Sequence, residues 1–177
     1  MKQPFTISVF TENHIGLLNR ITIIFTRRHI NIESITASEL EVEGIHRFTI
    51  AVVENRELVE KVVKQIEKQV EVLKAFFNTE EEIFYQEIAL YKIPTNALGN
   101  GVSMESLVRE HRARVLSMEE EFVIIEKTGH KEETQALLEE LRPLGVLEFV
   151  RSGRVAIRRP MHKITDAMLA LEAVTEA

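Results

Sequence analysis

The chain has 177 residues, 45% of them hydrophobic, which suits one domain or two small ones around a packed core. Zero cysteines exclude disulfides, thiol catalysis and zinc–thiolate sites, while a formal net charge of −6, aromatics at 6% and no tryptophan argue against a nucleic-acid partner. No apolar run approaches the ~20 residues of a membrane span, and Met1-Lys2-Gln3-Pro4 leads straight into strand-like sequence without a signal-peptide pattern, so a cytoplasmic protein with no membrane partner is expected.

In chain order, Phe5-Thr6-Ile7-Ser8-Val9-Phe10 alternates and predicts a strand over 4–11. A helix over 15–29 follows, because Leu17, Leu18, Ile21, Ile24 and Phe25 recur at spacings of three and four. Asn13 is expected as its N-cap, with the side-chain oxygen accepting from a first-turn amide. Gly16 falls in that turn, where a missing Cβ allows close approach. Free amides and the positive dipole end make such a turn an anion site, and Asn31 beyond the helix is placed to face Asn13. The pattern predicts a small-molecule pocket with an anion-binding wall. A capping asparagine and a packing glycine explain the same residues without a ligand, and spacing alone does not separate the two.

The strand expected over 31–42 keeps hydrophobic or small residues on both sides (Ile35, Thr36, Ala37, Ser38), as suits pairing with another chain or within one sheet. Glu43-Gly44 predicts a hairpin turn, and Phe48, Ile50 and Val52 alternate through a strand over 46–54. A helix over 56–68 carries Leu58, Val59, Val62, Val63 and Ile66 on one face with charges opposite, and a strand over 70–77 completes βαββαβ, the ferredoxin-like arrangement. One face of that sheet is expected to stay uncovered, with Thr6, Ser8 and Phe10 pointing from it.

Asn78-Thr79-Glu80-Glu81-Glu82 is acidic and turn-prone, which places a linker over 79–85 between domains 1–78 and 86–177. The second domain repeats the order: strand 86–93, helix 104–112, strands 113–118 and 121–127, helix 131–142 and strand 146–151, then an extra strand at Arg154-Val155-Ala156-Ile157-Arg158. The fold class is therefore α+β, with two ferredoxin-like domains. Gly99-Asn100-Gly101 lacks the lysine and spacing of a phosphate loop and reads as a plain connection. Ile164, Met168, Leu169 and Leu171 predict a helix after Pro160.

Catalytic chemistry does not surface. No carboxylate pair stands out, and histidines 14, 29, 46, 111, 130 and 162 are scattered without ligand spacing, so neither catalytic residues nor a metal site is assigned. Neither a Gly-x-Ser-x-Gly elbow nor a dinucleotide fingerprint occurs. His111, Arg112 and Arg114 fall at a helix end, where cations suit the dipole.

Asn13-His14-Ile15-Gly16-Leu17-Leu18-Asn19-Arg20-Ile21, then Phe25, Arg27-Arg28 and Asn31-Ile32-Glu33-Ser34, resemble the opening of the regulatory (small) subunits of acetohydroxyacid synthase, or acetolactate synthase, which is an ACT domain. Glu87-Ile88-Ala89-Leu90-Tyr91-Lys92-Ile93 resembles the family's strand after the linker, and Glu148-Phe149-Val150-Arg151-Ser152-Gly153 its late strand and turn. The resemblance runs from residue 5 to about 160.

The resemblance implies a non-catalytic partner of the large subunit, which carries thiamine diphosphate, FAD and Mg²⁺; no cofactor is expected on this chain. The small subunit raises the activity of the large one and transmits feedback inhibition by a branched-chain amino acid, usually valine. It pairs as a homodimer through the ACT domains, with effector sites between them. Carried over, the effector site comprises Asn13, His14, Ile15, Gly16, Leu17, Leu18, Asn31 and Ile32. Amides from Ile15 to Leu18 would hold the carboxylate, Asn13 and Asn31 the ammonium, and Leu17 would shape the side-chain pocket. Ile15 and Leu17 are bulkier than in many members, and the segment from Glu39 to Ile45 is short beside the usual hairpin. A free-standing ACT-type sensor of another enzyme or a transcription factor is the alternative, against which the late Arg-Ser-Gly match argues.

Overall fold

Alternating sequence becomes strands and three-and-four spacing becomes helices, in the order β1 (Gln3–Glu12), α1 (Leu17–Arg27), β2 (Ser34–Glu39), β3 (Ile45–Glu54), α2 (Arg56–Ile66), β4 (Val72–Asn78), β5 (Ile83–Pro94), α3 (Met104–Glu110), β6 (Arg114–Met118), β7 (Phe122–Gly129), α4 (Lys131–Leu141), β8 (Glu148–Arg151) and β9 (Val155–Arg158). The structure, a computed structural model, describes residues 1–99 and 104–159. The expected tail helix after Pro160 and the end of the Gly99-Asn100-Gly101 connection lie outside the described residues.

Two compact units result, each an antiparallel ferredoxin-like sheet with helices. The first comprises Met1–Phe84 together with the described residues from Gly153, and its strands order β2-β3-β1-β4. Phe5, Ile7 and Val9 of β1 and Phe48, Ile50 and Val52 of β3 face the helices. They pack against Leu17, Ile21, Ile24 and Phe25 of α1 and Val59, Val62, Val63 and Ile66 of α2. Each such buried side chain contributes about 1.5–3 kcal/mol, against a few tenths for an exposed pair such as Arg56–Glu60, so the apolar stripes decide where the helices lie. Asn55 caps α2, its side chain accepting from the Leu58 amide at 2.9 Å.

The opposite face of this sheet is covered, contrary to expectation. Thr6, Ser8 and Phe10 are 1%, 3% and 0% exposed. Phe10 packs with Ile45, Leu40, Val42, Leu73 and Phe76, while the chain from Gly153 through β9 lies over Thr6 and Ser8: Arg154 Nη1 donates to Thr6 Oγ1 (3.2 Å), and Thr36 Oγ1 donates to the Arg154 carbonyl (3.2 Å). Arg47 Nη2 reaches both Ser8 Oγ (3.0 Å) and the Ala156 carbonyl. Gly153 has no room for a side chain, since a Cβ there would fall 2.5 Å from Thr36 Oγ1 and 3.1 Å from the Ile35 carbonyl oxygen. The Arg-Ser-Gly motif thus ends in a residue packed on the backbone of β2.

The second unit comprises Tyr85–Ser152, with strand order β6-β7-β5-β8. Ala89, Tyr91, Ile93, Val123 and Ile125 pack against Leu107 of α3 and Leu137, Leu138 and Leu141 of α4. The Tyr91 hydroxyl donates to the Thr134 carbonyl at 2.6 Å, and burial pushes its pKa up to about 12. Lys127 Nζ, rather than the cations expected at the end of α3, satisfies the His111 carbonyl there (2.6 Å); Arg114 pairs with Glu126 instead. Over the predicted linker, Glu80–Glu82 forms a 3-10 turn in which the Thr79 amide donates to Glu82 Oε2 (2.9 Å), and β5 begins at buried Ile83. The two units therefore divide between Phe84 and Tyr85 and again at Gly153, rather than once across 79–85.

Candidate functional site

The turn between β1 and α1 is built by backbone, not by a side-chain cap. The Glu12 amide donates to the Glu71 carbonyl (3.1 Å) and the Asn13 amide to the Gly44 carbonyl (2.9 Å), so β1 is anchored on both sides as it ends. α1 starts at Leu17, two residues later than the spacing predicts, with Gly16 as its N-cap at φ 85° and no side-chain cap. Asn13 is therefore not the cap. Gly16 is required by its left-handed backbone rather than by close packing, because a Cβ there would meet nothing within 4 Å.

Leu17 N donates to the His14 carbonyl (3.3 Å) and Arg20 N to the Gly16 carbonyl (3.1 Å). The amides of Ile15, Gly16, Leu18 and Asn19 find no acceptor among the described residues. Four free donors at the positive end of an 11-residue helix form a surface suited to an anion.

Around these amides the predicted residues separate into two groups. Asn13, His14, Ile15, Gly16 and Leu18 are exposed at the turn, and Asn31 is exposed beyond the helix. Leu17 and Ile32 turn inward: Leu17 is 1% exposed in the core, and Ile32 packs against that core. The apolar side chains open to a ligand are Ile15 and Leu18, not Leu17. The Asn31 amide donates to Glu33 Oε1 at 2.9 Å, which leaves its oxygen as the acceptor on that side.

Two pairs that spacing does not reveal frame the turn. Glu12 and His14 meet at 2.9 Å, and Arg20 Nη2 donates to Glu71 Oε1 at 2.6 Å. The hydrogen bond from Arg20 holds the Glu71 carboxyl below its ordinary 4.5. The stability this pair contributes is present above that ordinary value and is lost as pH falls through the lowered one. Among the described residues no group of three or more His, Cys, Asp or Glu is arranged to hold a metal ion.

Residues 7–74 match the AHAS small subunit-like ACT domain, and residues 86–160 match the small subunit of acetolactate synthase. The acetolactate synthase small subunit of Bacillus subtilis is 38% identical over 160 residues, covering 90% of this chain and 91% of that protein. A probable acetolactate synthase small subunit of Archaeoglobus fulgidus is 34% identical over 154 residues, covering 87% of this chain and 96% of that protein. The crystal structure of the acetolactate synthase small subunit from Thermotoga maritima superposes with a TM-score of 0.81 at 30% identity, covering 90% of this chain and 99% of that one. These matches reach through the turn, both sheets and the strand that returns to the first unit. The chain belongs to the family of acetolactate synthase small subunits.

Proposed function

We propose that this chain is the non-catalytic regulatory subunit of an acetolactate synthase, binding a branched-chain amino acid, most simply valine, at the β1–α1 turn. The observation that carries the effector site is the set of unpaired amides at Ile15, Gly16, Leu18 and Asn19. An amino-acid carboxylate placed there replaces water on three or four donors and gains from the helix dipole. The oxygens of Asn13 and Asn31 are offered to its ammonium, and the exposed side chains of Ile15 and Leu18 to its aliphatic end.

The partner is the catalytic large subunit, which supplies thiamine diphosphate, FAD and Mg²⁺ and performs the carbon–carbon bond formation. The chain itself works in the cytoplasm as a two-fold homodimer through its ACT units, which would bring a second turn and β2 edge to each effector. Inhibition then follows from linkage: an effector that binds the less active state of the complex more tightly shifts the complex toward it.

Calorimetric titration of the isolated protein with valine, leucine and isoleucine tests the binding site. Saturable heat with at least one of the three, lost when its carboxylate is converted to an amide, is expected. No heat with any of them at millimolar concentration would remove the effector assignment.

A further inference from the structure

The outer face of the first sheet gathers cations that no carboxylate answers among the described residues. Arg47 of β3 and Lys74 of β4 stand on either side of Phe10 in register, and β9 brings Arg158 to the same face. The Arg47 guanidinium lies 5.3 Å from the Phe10 ring centre and the Arg158 guanidinium 4.5 Å from that of Phe76. The two rings stack on each other at 5.8 Å.

Arg47 donates to Ser8 Oγ and the Ala156 carbonyl, both neutral. Among the described residues neither Arg47, Lys74 nor Arg158 forms an ion pair. Nε of both Arg47 and Arg158 is buried without an acceptor. Burial, and then the neighbouring charge of Arg158, lowers the pKa of Arg47. In a chain with 28 acidic residues against 22 basic ones, leaving two such guanidiniums together without a carboxylate is a costly arrangement. The aromatic rings fix the positions of the groups and do not offset their mutual repulsion.

An anion resolves that imbalance. Arg158 presents a planar fork of donors matched to two oxygens of one ligand, and Arg47, whose Nη2 is held by Ser8 and Ala156, adds Nη1 and its charge, so a doubly charged oxyanion answers both cations at once. We propose that Arg47 and Arg158, seated on Phe10 and Phe76 on the face of the first sheet opposite α1 and α2, bind a divalent oxyanion of the phosphate class, either inorganic phosphate or the phosphate end of a monoester. This site is separate from the effector turn, since α1 packs on the other face of the sheet.

The test is thermal melting of the full chain in inorganic phosphate or β-glycerophosphate, each against chloride at the same ionic strength. Phosphate at about ten times its Kd should raise the melting temperature by about 3–6 °C beyond chloride. Arg158→Gln and Arg47→Gln should lose that rise, and Arg158→Lys, which keeps the charge without the fork, should weaken it. Arg142→Gln, an equal charge change on an exposed residue of the second unit, should keep it. A shift from both compounds assigns the site to phosphate ends of larger molecules as well as the free ion; a shift from inorganic phosphate alone assigns it to the free ion. Phosphate also stabilises proteins by exclusion from their surface, which acts on all variants alike. A rise of the same size in wild type and Arg158→Gln, or none beyond chloride, overturns the proposal.

Discussion

Gly16→Asp is expected to leave the reconstituted synthase active and make it nearly blind to valine. The backbone at Gly16 is left-handed at φ 85°, a conformation that aspartate and asparagine tolerate better than other side chains, at about 1–2 kcal/mol. The new Cβ meets nothing within 4 Å, and an acid at a helix N-terminus suits the dipole, so the fold should survive. The effector should not bind. A second carboxylate ~4 Å from that of the ligand repels it by about 4 kcal/mol at an effective dielectric of 20, roughly a thousandfold in affinity. Gly16→Asn separates charge from shape, since it carries the same bulk and backbone cost without the repulsion. The measurement is the valine concentration giving half-inhibition of the complex for wild type and both variants. An aspartate variant inhibited at the wild-type concentration would remove the carboxylate from this turn; an asparagine variant as insensitive as the aspartate would show that bulk, not charge, matters.

The second large effect is expected at Gly153, far from the effector. Gly153→Val places a branched side chain where a Cβ alone would lie 2.5 Å from Thr36 Oγ1 and 3.1 Å from the Ile35 carbonyl oxygen. The hydroxyl can rotate, but the carbonyl belongs to the paired strand β2 and cannot. Relief requires lifting the chain off the sheet, which breaks the bond from Thr36 to the Arg154 carbonyl and the bond from Arg154 to Thr6, now 1% exposed. Overpacking of this kind costs about 1–3 kcal/mol, so a melting temperature lower by roughly 2–12 °C is expected. Faster proteolysis within 153–159 should accompany it. An unchanged melting temperature and protease pattern would show that the chain from Gly153 does not seal this sheet.

Both variants act on features that the sequence shows only in part. Alternation in Phe5–Phe10 and Phe48–Val52, and the three-and-four spacing in α1 and α2, place the elements of the first unit because each has one buried side. The same periodicity is silent on what covers the second side of a sheet. Arg154-Val155-Ala156-Ile157-Arg158 reads as a strand, but its contacts with Thr36, Thr6 and Arg47 span more than a hundred residues, and no local signal marks such a pairing. The candidate site divides in the same way. Its position at the β1–α1 turn is legible from the end of one period and the start of another, and the family resemblance supplies its residues. The capping role given to Asn13 fails because an N-cap is defined by backbone angles, and a glycine at positive φ takes the place that residue preference assigns to asparagine. Leu17 fits a pocket by its place in the motif and the core by its place on the helix stripe; the stripe prevails. Arg20 and Glu71, 51 positions apart, are invisible until β4 is laid beside β1.

The most direct measurement is acetolactate formation from pyruvate by the catalytic subunit of the same organism, titrated with this chain in the presence and absence of valine. We expect no product from the chain alone, a rate that rises to a plateau as the chain saturates the catalytic subunit, and a lower plateau when valine is added. Turnover by the chain alone, or a catalytic rate that does not change as the chain is added, would contradict its role as the regulatory partner of the synthase.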